Sequence, residues 1–178
     1  MSRTVIRGGL VITASDELHA DVLIEGGRIA ALATSGTPAA ETFTAGRTID
    51  ATGKYVLPGG VDAHTHMELP FGGTFASDTF ETGTRAAAWG GTTTVVDFAV
   101  QSVGHSLREG LDTWHAMAEG NCAIDYGFHM IVSDVNAKTL KEMDHLVEEG
   151  VTSFKSFIRP RDQGFSSGVG RVPCEMAA

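Results

Sequence analysis

Two histidines separated by one residue lie in the segment VDAHTH, residues 61–66, directly after the turn-rich LPGG. Because successive side chains of a strand point to opposite faces, His64 and His66 project from the same face. Two imidazoles at this spacing can hold one metal ion, since neutral histidine nitrogens are common metal ligands. The pair therefore predicts a metal site at the end of a short strand.

Three further polar side chains lie in later apolar runs, and all face the same rim if those runs are parallel strands: Asp97, His129 and Lys155. Lys155 is unusual because TSFKSFI is an apolar setting that disfavours an ammonium group, although a lysine that snorkels outward is the alternative. Asp97 is a candidate for supporting the site or for satisfying a loop. His129 is interpreted as a packed core histidine. The remaining histidines are interpreted as exposed or structural: His19, His105, His115 and His145.

The elements that must position these residues form two parts. Residues 1–54 contain short apolar runs separated by glycine pairs, which predicts an all-β element. From residue 55 onward, apolar runs alternate with amphipathic segments. Strands are predicted over residues 55–64, 92–100, 124–132 and 151–158, and helices over residues 78–91, 106–120 and 136–150. This alternation favours parallel βαβ units with right-handed crossovers, whose chemistry gathers at the carboxyl ends of the strands.

The three helices also have predicted ends and buried faces. Capping boxes are expected at Asp78 with Glu81 and at Ser106 with Glu109. Apolar spacing predicts that the second helix buries Leu107, Leu111, Trp114 and Ala118, and that the third buries Leu140, Met143 and Val147 before ending at Gly150. Residues 159–178 show no apolar period, so a divergent and disordered tail is expected there.

Composition narrows the class of partner. The formal net charge of -9 argues against nucleic acid and anionic membranes, which would repel the chain. No apolar run approaches the roughly 18 to 20 residues that a membrane span needs, and we expect a cytoplasmic location. Cys122 and Cys174 show no metal-binding spacing and are interpreted as structural thiols. A small solute is the partner that these features favour.

The segment LPGGVDAHTHMELPFGGTFASDTFETGTRAAAWGGTTTVVDFAVQ, together with DYGFHM and EEGVTSFKSF, resembles the amino-terminal part of dihydropyrimidinases, also called D-hydantoinases, of the cyclic amidohydrolase group. The resemblance extends over residues 1 to 158. It implies an α/β fold in which residues 1–54 form a small β-sandwich element. Residues 55–158 would form strands one to four, the first half of a metal-dependent-hydrolase (β/α)8 barrel. It also implies a homotetramer in the intact family.

The same resemblance implies the chemistry of the site. His64 and His66 would bind the more buried of two zinc ions, and Lys155 would carry a carboxyl group that bridges both. An anionic carbamate explains why a lysine can serve there, since an ammonium would repel two divalent ions. Asp97 is a possible supporting residue behind these ligands. Leu69 and Phe71, in the segment after the histidines, would line the exocyclic substituent of the substrate.

The implied reaction is hydrolysis of the cyclic amide of dihydropyrimidines or hydantoins, as in pyrimidine catabolism. The family takes further ligands from strands five, six and eight and has a tyrosine where this sequence has Pro160. We therefore expect a truncated chain that is inactive alone and holds at most one zinc weakly. One alternative is a non-catalytic fragment or interaction protein of the same fold. Another is an allantoinase- or dihydroorotase-like hydrolase, although HMELPFGGT and DYGFHM favour the dihydropyrimidinase pattern.

Overall fold

The computed structural model describes residues 2–156, which divide into one compact unit ending at Pro58 and a second beginning at Gly59. Within that range, none of the helices is long and apolar enough to cross a membrane. Phe157, Pro160 and the predicted tail over residues 159–178 lie outside the described residues.

The first unit is a mixed β-sheet. It contains β1 (Arg3–Ile12), β2 (Glu17–Glu25), β3 (Arg28–Thr34), the short helix α1 (Pro38–Glu41), β4 (Arg47–Asp50) and β5 (Tyr55–Val56). The strand order is β3-β2-β1-β4, and β5 also pairs with β1. β2 is antiparallel to both β1 and β3, whereas β4 and β5 run parallel to β1. The predicted β-rich character is confirmed, but α1 was not predicted. Thr37 caps it by accepting from the Ala40 N–H, and Pro38 suits its first turn.

A buried carboxylate stabilises this first unit. Asp21 is 3% exposed and accepts hydrogen bonds from the Gly8 N–H at 2.9 Å, the Ser35 hydroxyl at 2.6 Å and Arg7 at 2.6 Å. Burial alone would raise the pKa of Asp21, but the hydrogen bonds from Ser35, Gly8 and Arg7 outweigh it and hold that pKa below its usual value. The folded state therefore stabilises the charged form of Asp21.

The second unit is built on four parallel strands. Its elements are β6 (Gly60–Thr65), β7 (Pro70–Phe71), β8 (Thr74–Phe75), α2 (Phe80–Trp89), β9 (Thr92–Val100), α3 (Leu107–Ala118), β10 (Asp125–Val132), α4 (Ala137–Glu148) and β11 (Phe154–Ser156). The parallel sheet has the order β11-β10-β9-β6, so its four strands are neighbours in the order in which they occur in the chain, with the separate β7–β8 pair inserted after β6. Four parallel strands joined by three helices confirm the predicted half-barrel pattern. The small antiparallel pair of β7 and β8 was not predicted.

The predicted strand over residues 55–64 is wrong as one element. Tyr55 and Val56 pair with β1 in the first unit, and the parallel sheet begins only at Gly60. The intervening Leu57, Pro58 and Gly59 have no strand structure. Pro58 explains the break, because proline has no N–H to donate to a sheet.

Helix α3 agrees with the sequence in detail. Ser106 caps it, and Glu109 completes the predicted capping box. All four residues of the predicted face are buried: Leu107, Leu111, Trp114 and Ala118. Large apolar residues at this spacing leave only one orientation that removes them from water.

The other two helices differ from the sequence prediction by one position. The capping box of α2 is formed by Thr79 and Thr82 rather than by Asp78 and Glu81, because the helix starts where it can bury Phe80 completely. In α4, Leu140 and Val147 are 40% and 47% exposed. The predicted Met143 is partly buried against the core, and the residues that α4 buries fully are Thr139 and Leu146. Thr139 faces inward because it also forms the capping box with Asn136.

The core of the second unit lies between the sheet and the helices. Val95, Ala99 and Met130 project from the strands into the cluster that also contains Leu111 and Trp114 of α3. Alternate residues of the same strands project from the opposite face of the sheet. That second face carries the predicted site.

Candidate active site

Four polar side chains surround the ring of Phe98. The centroid of this ring lies 4.7 Å from that of His64, 4.9 Å from that of His66 and 4.6 Å from that of His129. The Nζ atom of Lys155 lies 4.3 Å from the Phe98 centroid. The rings of His64 and His66 are 5.1 Å apart and nearly perpendicular. We call these five residues the Phe98 cluster.

Strand register explains why these residues meet. Phe98 of β9 lies beside His129 of β10, and Ile131 of β10 lies beside Lys155 of β11. Residues side by side in a parallel sheet project from the same face, so Phe98, His129 and Lys155 share one face. The structure thus brings together the histidine pair and the lysine that the sequence singled out.

His66 is suited to bind a ligand as a neutral imidazole. Burial lowers the pKa of His66, the charge of Lys155 lowers it further, and the carboxylate of Asp97 opposes this only in part. Among residues 2–156, the buried Nδ1 atom of His66 has no hydrogen-bond partner. A buried polar atom in that state costs about 1–3 kcal/mol, which a ligand to the nitrogen would relieve. Metals bind the neutral form of histidine.

Asp97 lies behind the site and not in it. The sequence predicted a possible supporting residue behind the ligands, and the carboxylate of Asp97 projects toward α3 and is fully buried. It accepts hydrogen bonds from the Thr65 hydroxyl (2.8 Å), the Met67 N–H (2.8 Å), the Phe98 N–H (2.7 Å) and the Trp114 Nε1–H (3.3 Å). Thr65 and Met67 flank His66, so Asp97 holds the side-chain hydroxyl on one side of that ligand candidate and the backbone N–H on the other.

His129 also belongs to the site and not to the apolar core. The ring is half-buried, and both nitrogens have partners: Nε2 lies 2.8 Å from the Ala63 carbonyl oxygen, and Nδ1 contacts the Ser153 hydroxyl. Sequence reasoning missed these contacts because they depend on how distant strands are aligned. The only local signal was the place of His129 late in a strand of the alternating region.

A cavity of about 440 Å³ adjoins the Phe98 cluster. It is lined by His66, Leu69, Phe71, Thr74, Phe75, Ala76, Ile131 and Lys155. Leu69 and Phe71 were predicted, whereas the residues from Thr74 to Ala76 were missed with the hairpin that carries them. Gly72 and Gly73 between two short strands could have indicated it, because both adopt the positive φ that a tight hairpin turn requires.

The donors at the Phe98 cluster fit a metal ion only in part. Two imidazoles and one amine lie on one face, and His66 has a nitrogen available to a ligand. Within the described residues, no group of three or more His, Cys, Asp or Glu side chains is placed to hold a metal. The other histidines lie elsewhere, as expected; His105, for example, is exposed and contacts Glu109 at 2.8 Å.

Comparison with known proteins gives a match to the amidohydrolase family over residues 55–170. The chain belongs to the amidohydrolase family. Members of this family are metal-dependent. The resemblance stated from the sequence motifs is confirmed by curated relatives that carry the names D-hydantoinase and dihydropyrimidinase.

The sequence matches cover most of this chain but a smaller part of each relative. Identity is 85% over 157 residues to a D-hydantoinase of Streptomyces coelicolor, covering 88% of this chain and 34% of that amidohydrolase. It is 43% over 161 residues to a dihydropyrimidinase of Rattus norvegicus, covering 90% of this chain and 31% of the relative. The chain therefore spans about one third of the length of the relatives it matches.

Solved structures confirm the fold. The dihydropyrimidinase from Brevibacillus agri matches with a TM-score of 0.82 and 46% identity, over 96% of this chain and 35% of its own. A D-hydantoinase from Bacillus sp. AR9 matches with a TM-score of 0.83 and 46% identity, over 97% of this chain and 35% of its own.

Proposed function

We propose that this chain supplies the first four barrel strands and the first metal ligands of a zinc hydrolase that opens the cyclic amide of hydantoins or dihydropyrimidines. The supporting observation is the Phe98 cluster, which places His64, His66 and Lys155 on one face beside a largely apolar cavity. The names of the relatives support the reaction class. Because the chain spans about one third of those relatives, the activity is proposed for the assembled barrel.

In this proposal, His64 and His66 hold one zinc ion through neutral imidazole nitrogens. Lys155 would react as a neutral amine with carbon dioxide: a new N–C bond would form, one N–H proton would leave to solvent, and the resulting carbamate would offer anionic oxygens as zinc ligands. When bound, the zinc ions supply Lewis-acid polarisation of the scissile carbonyl and a water of lowered pKa. Asp97 keeps His66 in place by holding the Thr65 hydroxyl and the Met67 backbone N–H.

The apolar residues of the cavity take the other end of the substrate. Leu69 and Phe71 border the cavity on the side of the β7–β8 hairpin, and His66 and Lys155 border it on the side of the metal ligands. A substrate bound there has its amide near the ligands and its exocyclic substituent against apolar side chains. By the same resemblance we propose a homotetramer acting in pyrimidine catabolism in the cytoplasm.

A chimera tests this proposal directly. Residues 2–156 of this chain replace the matching segment of the Streptomyces coelicolor D-hydantoinase, to which the chain is 85% identical. We expect zinc-dependent hydrolysis of hydantoin or dihydrouracil that is abolished by His64→Ala. His145→Ala, at an exposed position of α4, is the matched control and should leave the rate unchanged.

The 178-residue chain is tested beside the chimera. We expect it to hydrolyse neither compound faster than buffer, even with zinc and bicarbonate, because two histidines and one carbamate are too few ligands for a two-metal site. A folded chimera without activity would contradict the proposed reaction and favour a non-catalytic role. If the chimera prefers allantoin or dihydroorotate, the proposed substrate class is wrong and the allantoinase- or dihydroorotase-like alternative applies.

A further inference from the structure

The side chain of His129 joins two segments that are not neighbours in the sheet. His129 lies in β10, yet its Nε2 atom is 2.8 Å from the carbonyl oxygen of Ala63 in β6, with β9 between the two strands. Its Nδ1 atom contacts the hydroxyl of Ser153, at the start of the segment that carries Lys155. Ala63 directly precedes His64. The imidazole of His129 thus links the backbone just before His64 to the side chain of Ser153, two residues before Lys155.

The Ala63 carbonyl is available because the strand register shifts at this point. Asp62 pairs with Val95 and Thr65 pairs with Asp97, so Ala63 and His64 together lie opposite the single residue Val96. An extra residue of this kind interrupts the hydrogen bonds between the strands and is common next to active sites. The His64 N–H donates to the Asp62 carboxylate at 3.1 Å, and the Ala63 carbonyl accepts from His129.

The contact of Nε2 with a carbonyl oxygen fixes the place of one ring proton. A carbonyl oxygen only accepts, so Nε2 of His129 carries a proton and donates it to Ala63. In the neutral ring, Nδ1 then accepts from the Ser153 hydroxyl. The Phe98 ring, 4.6 Å away and inclined by 35°, packs against the imidazole. With both nitrogens engaged and one face covered, His129 is held in a single orientation.

We propose that His129 is a positioning residue that sets the distance between His64 and Lys155 by tying the shifted segment of β6 to Ser153. The expected effect on metal binding rests on the proposed function, whereas the link between the two segments rests on geometry alone. Without His129, the Ala63–His64 segment loses its hydrogen bond across the sheet. The two ligand-bearing segments then move independently, and the site binds metal less tightly.

The variants separate the two contacts. His129→Gln keeps an N–H donor at the position of Nε2, His129→Asn keeps an acceptor near the position of Nδ1, and His129→Leu keeps neither. Ser153→Ala removes one partner and leaves the histidine in place. His115→Leu is the matched control, because His115 packs on Phe128 from the helix side of the same strand.

The first measurement is Co²⁺ binding to the full 178-residue chain with bicarbonate, followed by visible absorption. We expect His129→Leu to weaken Co²⁺ binding by about 10- to 100-fold, as substitutions of residues that orient metal ligands do. His129→Gln should recover part of that loss, and His115→Leu should bind as the unchanged chain does. Equal affinity in the unchanged chain and in His129→Leu would overturn the proposal.

The second measurement needs no metal and keeps the proposal separate from the proposed function. Amide hydrogen exchange in His129→Leu should become faster both at residues 63–65 and at residues 153–155, whereas β9 between them is unchanged. Ser153→Ala should show the same pattern more weakly and serves if His129→Leu does not fold. Unchanged exchange at either segment overturns the link. If the unchanged chain binds no Co²⁺ while both segments respond, the metal proposal fails and the link stands.

Discussion

The Oδ2 atom of Asp97 accepts a 2.8 Å hydrogen bond from the backbone N–H of Met67. Two residues adjacent on either side of His66 are therefore held by one buried carboxylate that also reaches Trp114 of α3. The helix layer and the face that carries the Phe98 cluster share this single side chain.

Asp97→Asn is expected to lower the free energy of unfolding. An amide has one oxygen where the carboxylate has two, so at least one donor among Thr65, Met67 and Trp114 loses its acceptor. Each buried donor left unsatisfied costs about 1–3 kcal/mol. Urea unfolding followed by tryptophan fluorescence measures the loss. Asp112→Asn, at an exposed position, should change stability by no more than about 0.5 kcal/mol, and an equally small effect of Asp97→Asn would contradict the role assigned to Asp97.

Phe98→Leu and Phe128→Leu form a matched pair, because both residues are buried in adjacent strands but project from opposite faces. Each should lower the free energy of unfolding by about 1–3 kcal/mol. Only Phe98→Leu should also weaken Co²⁺ binding, since only Phe98 contacts His64, His66 and Lys155. Metal titrations of both variants decide this, and equal weakening by the two would show that Phe98 has no specific place in the site.

The sequence predicted those elements in which pattern and burial agree. Leu107, Leu111 and Trp114 of helix α3 are large, apolar and buried on one face, so its phase is unambiguous. Helix α4 has Leu140 and Val147 competing with Leu146 for the inward face, and the capping role of Thr139 decides between them. Apolar spacing does not show such a cap. The hairpin of β7 and β8 is too short for any periodicity to predict.

For the site, residue types and spacing identified the ligand candidates but not the groups that hold them. His64, His66 and Lys155 are unusual where they stand in the sequence, which is why they could be found. Asp97 could be named as a possible supporting residue, but its four hydrogen-bond donors come from three separate parts of the chain and were not predictable from spacing. The contact between His129 and Ala63 depends on a register shift between β6 and β9, and a single sequence contains no record of such a shift.

Gly110→Ala is expected to destabilise the second unit, although alanine has a higher helix propensity than glycine. A Cβ atom at this position of α3 would meet the Val100 carbonyl oxygen at 2.8 Å, so the helix would have to move away from β9. The unfolding midpoint in urea should fall. Gly83→Ala in α2 is the control: its nearest atom is the flexible Met67 Cε at 3.0 Å, so the helix propensity gain of up to about 1 kcal/mol can offset the contact. A rise in midpoint for Gly110→Ala would show that α3 is not tightly packed on β9.

The lowered pKa of Asp21 predicts how the stability of the first unit changes at low pH. Its pKa is lowered in the folded state, so its contribution to stability is complete above its unfolded pKa of about 3.9 and is lost as the pH falls through the lower folded value. The stability difference between the unchanged chain and Asp21→Asn should therefore shrink with decreasing pH in that window. Ser35→Ala removes one of the donors to Asp21, so its stability difference from the unchanged chain should depend less on pH than that of Asp21→Asn. Urea midpoints measured as a function of pH test this, and a difference independent of pH would contradict it.

The strand order of the second unit also has a consequence for how the chain acquires its structure. β9, β10 and β11 each pair with the preceding strand of the same parallel sheet, so the partner of each has already been synthesised. A whole helix separates each strand from its partner, so every pairing closes a long loop, and parallel pairings of this kind form comparatively slowly. The strands of this sheet are thus translated in their spatial order, and the histidine pair at the end of β6 is synthesised before Lys155 is added to the chain.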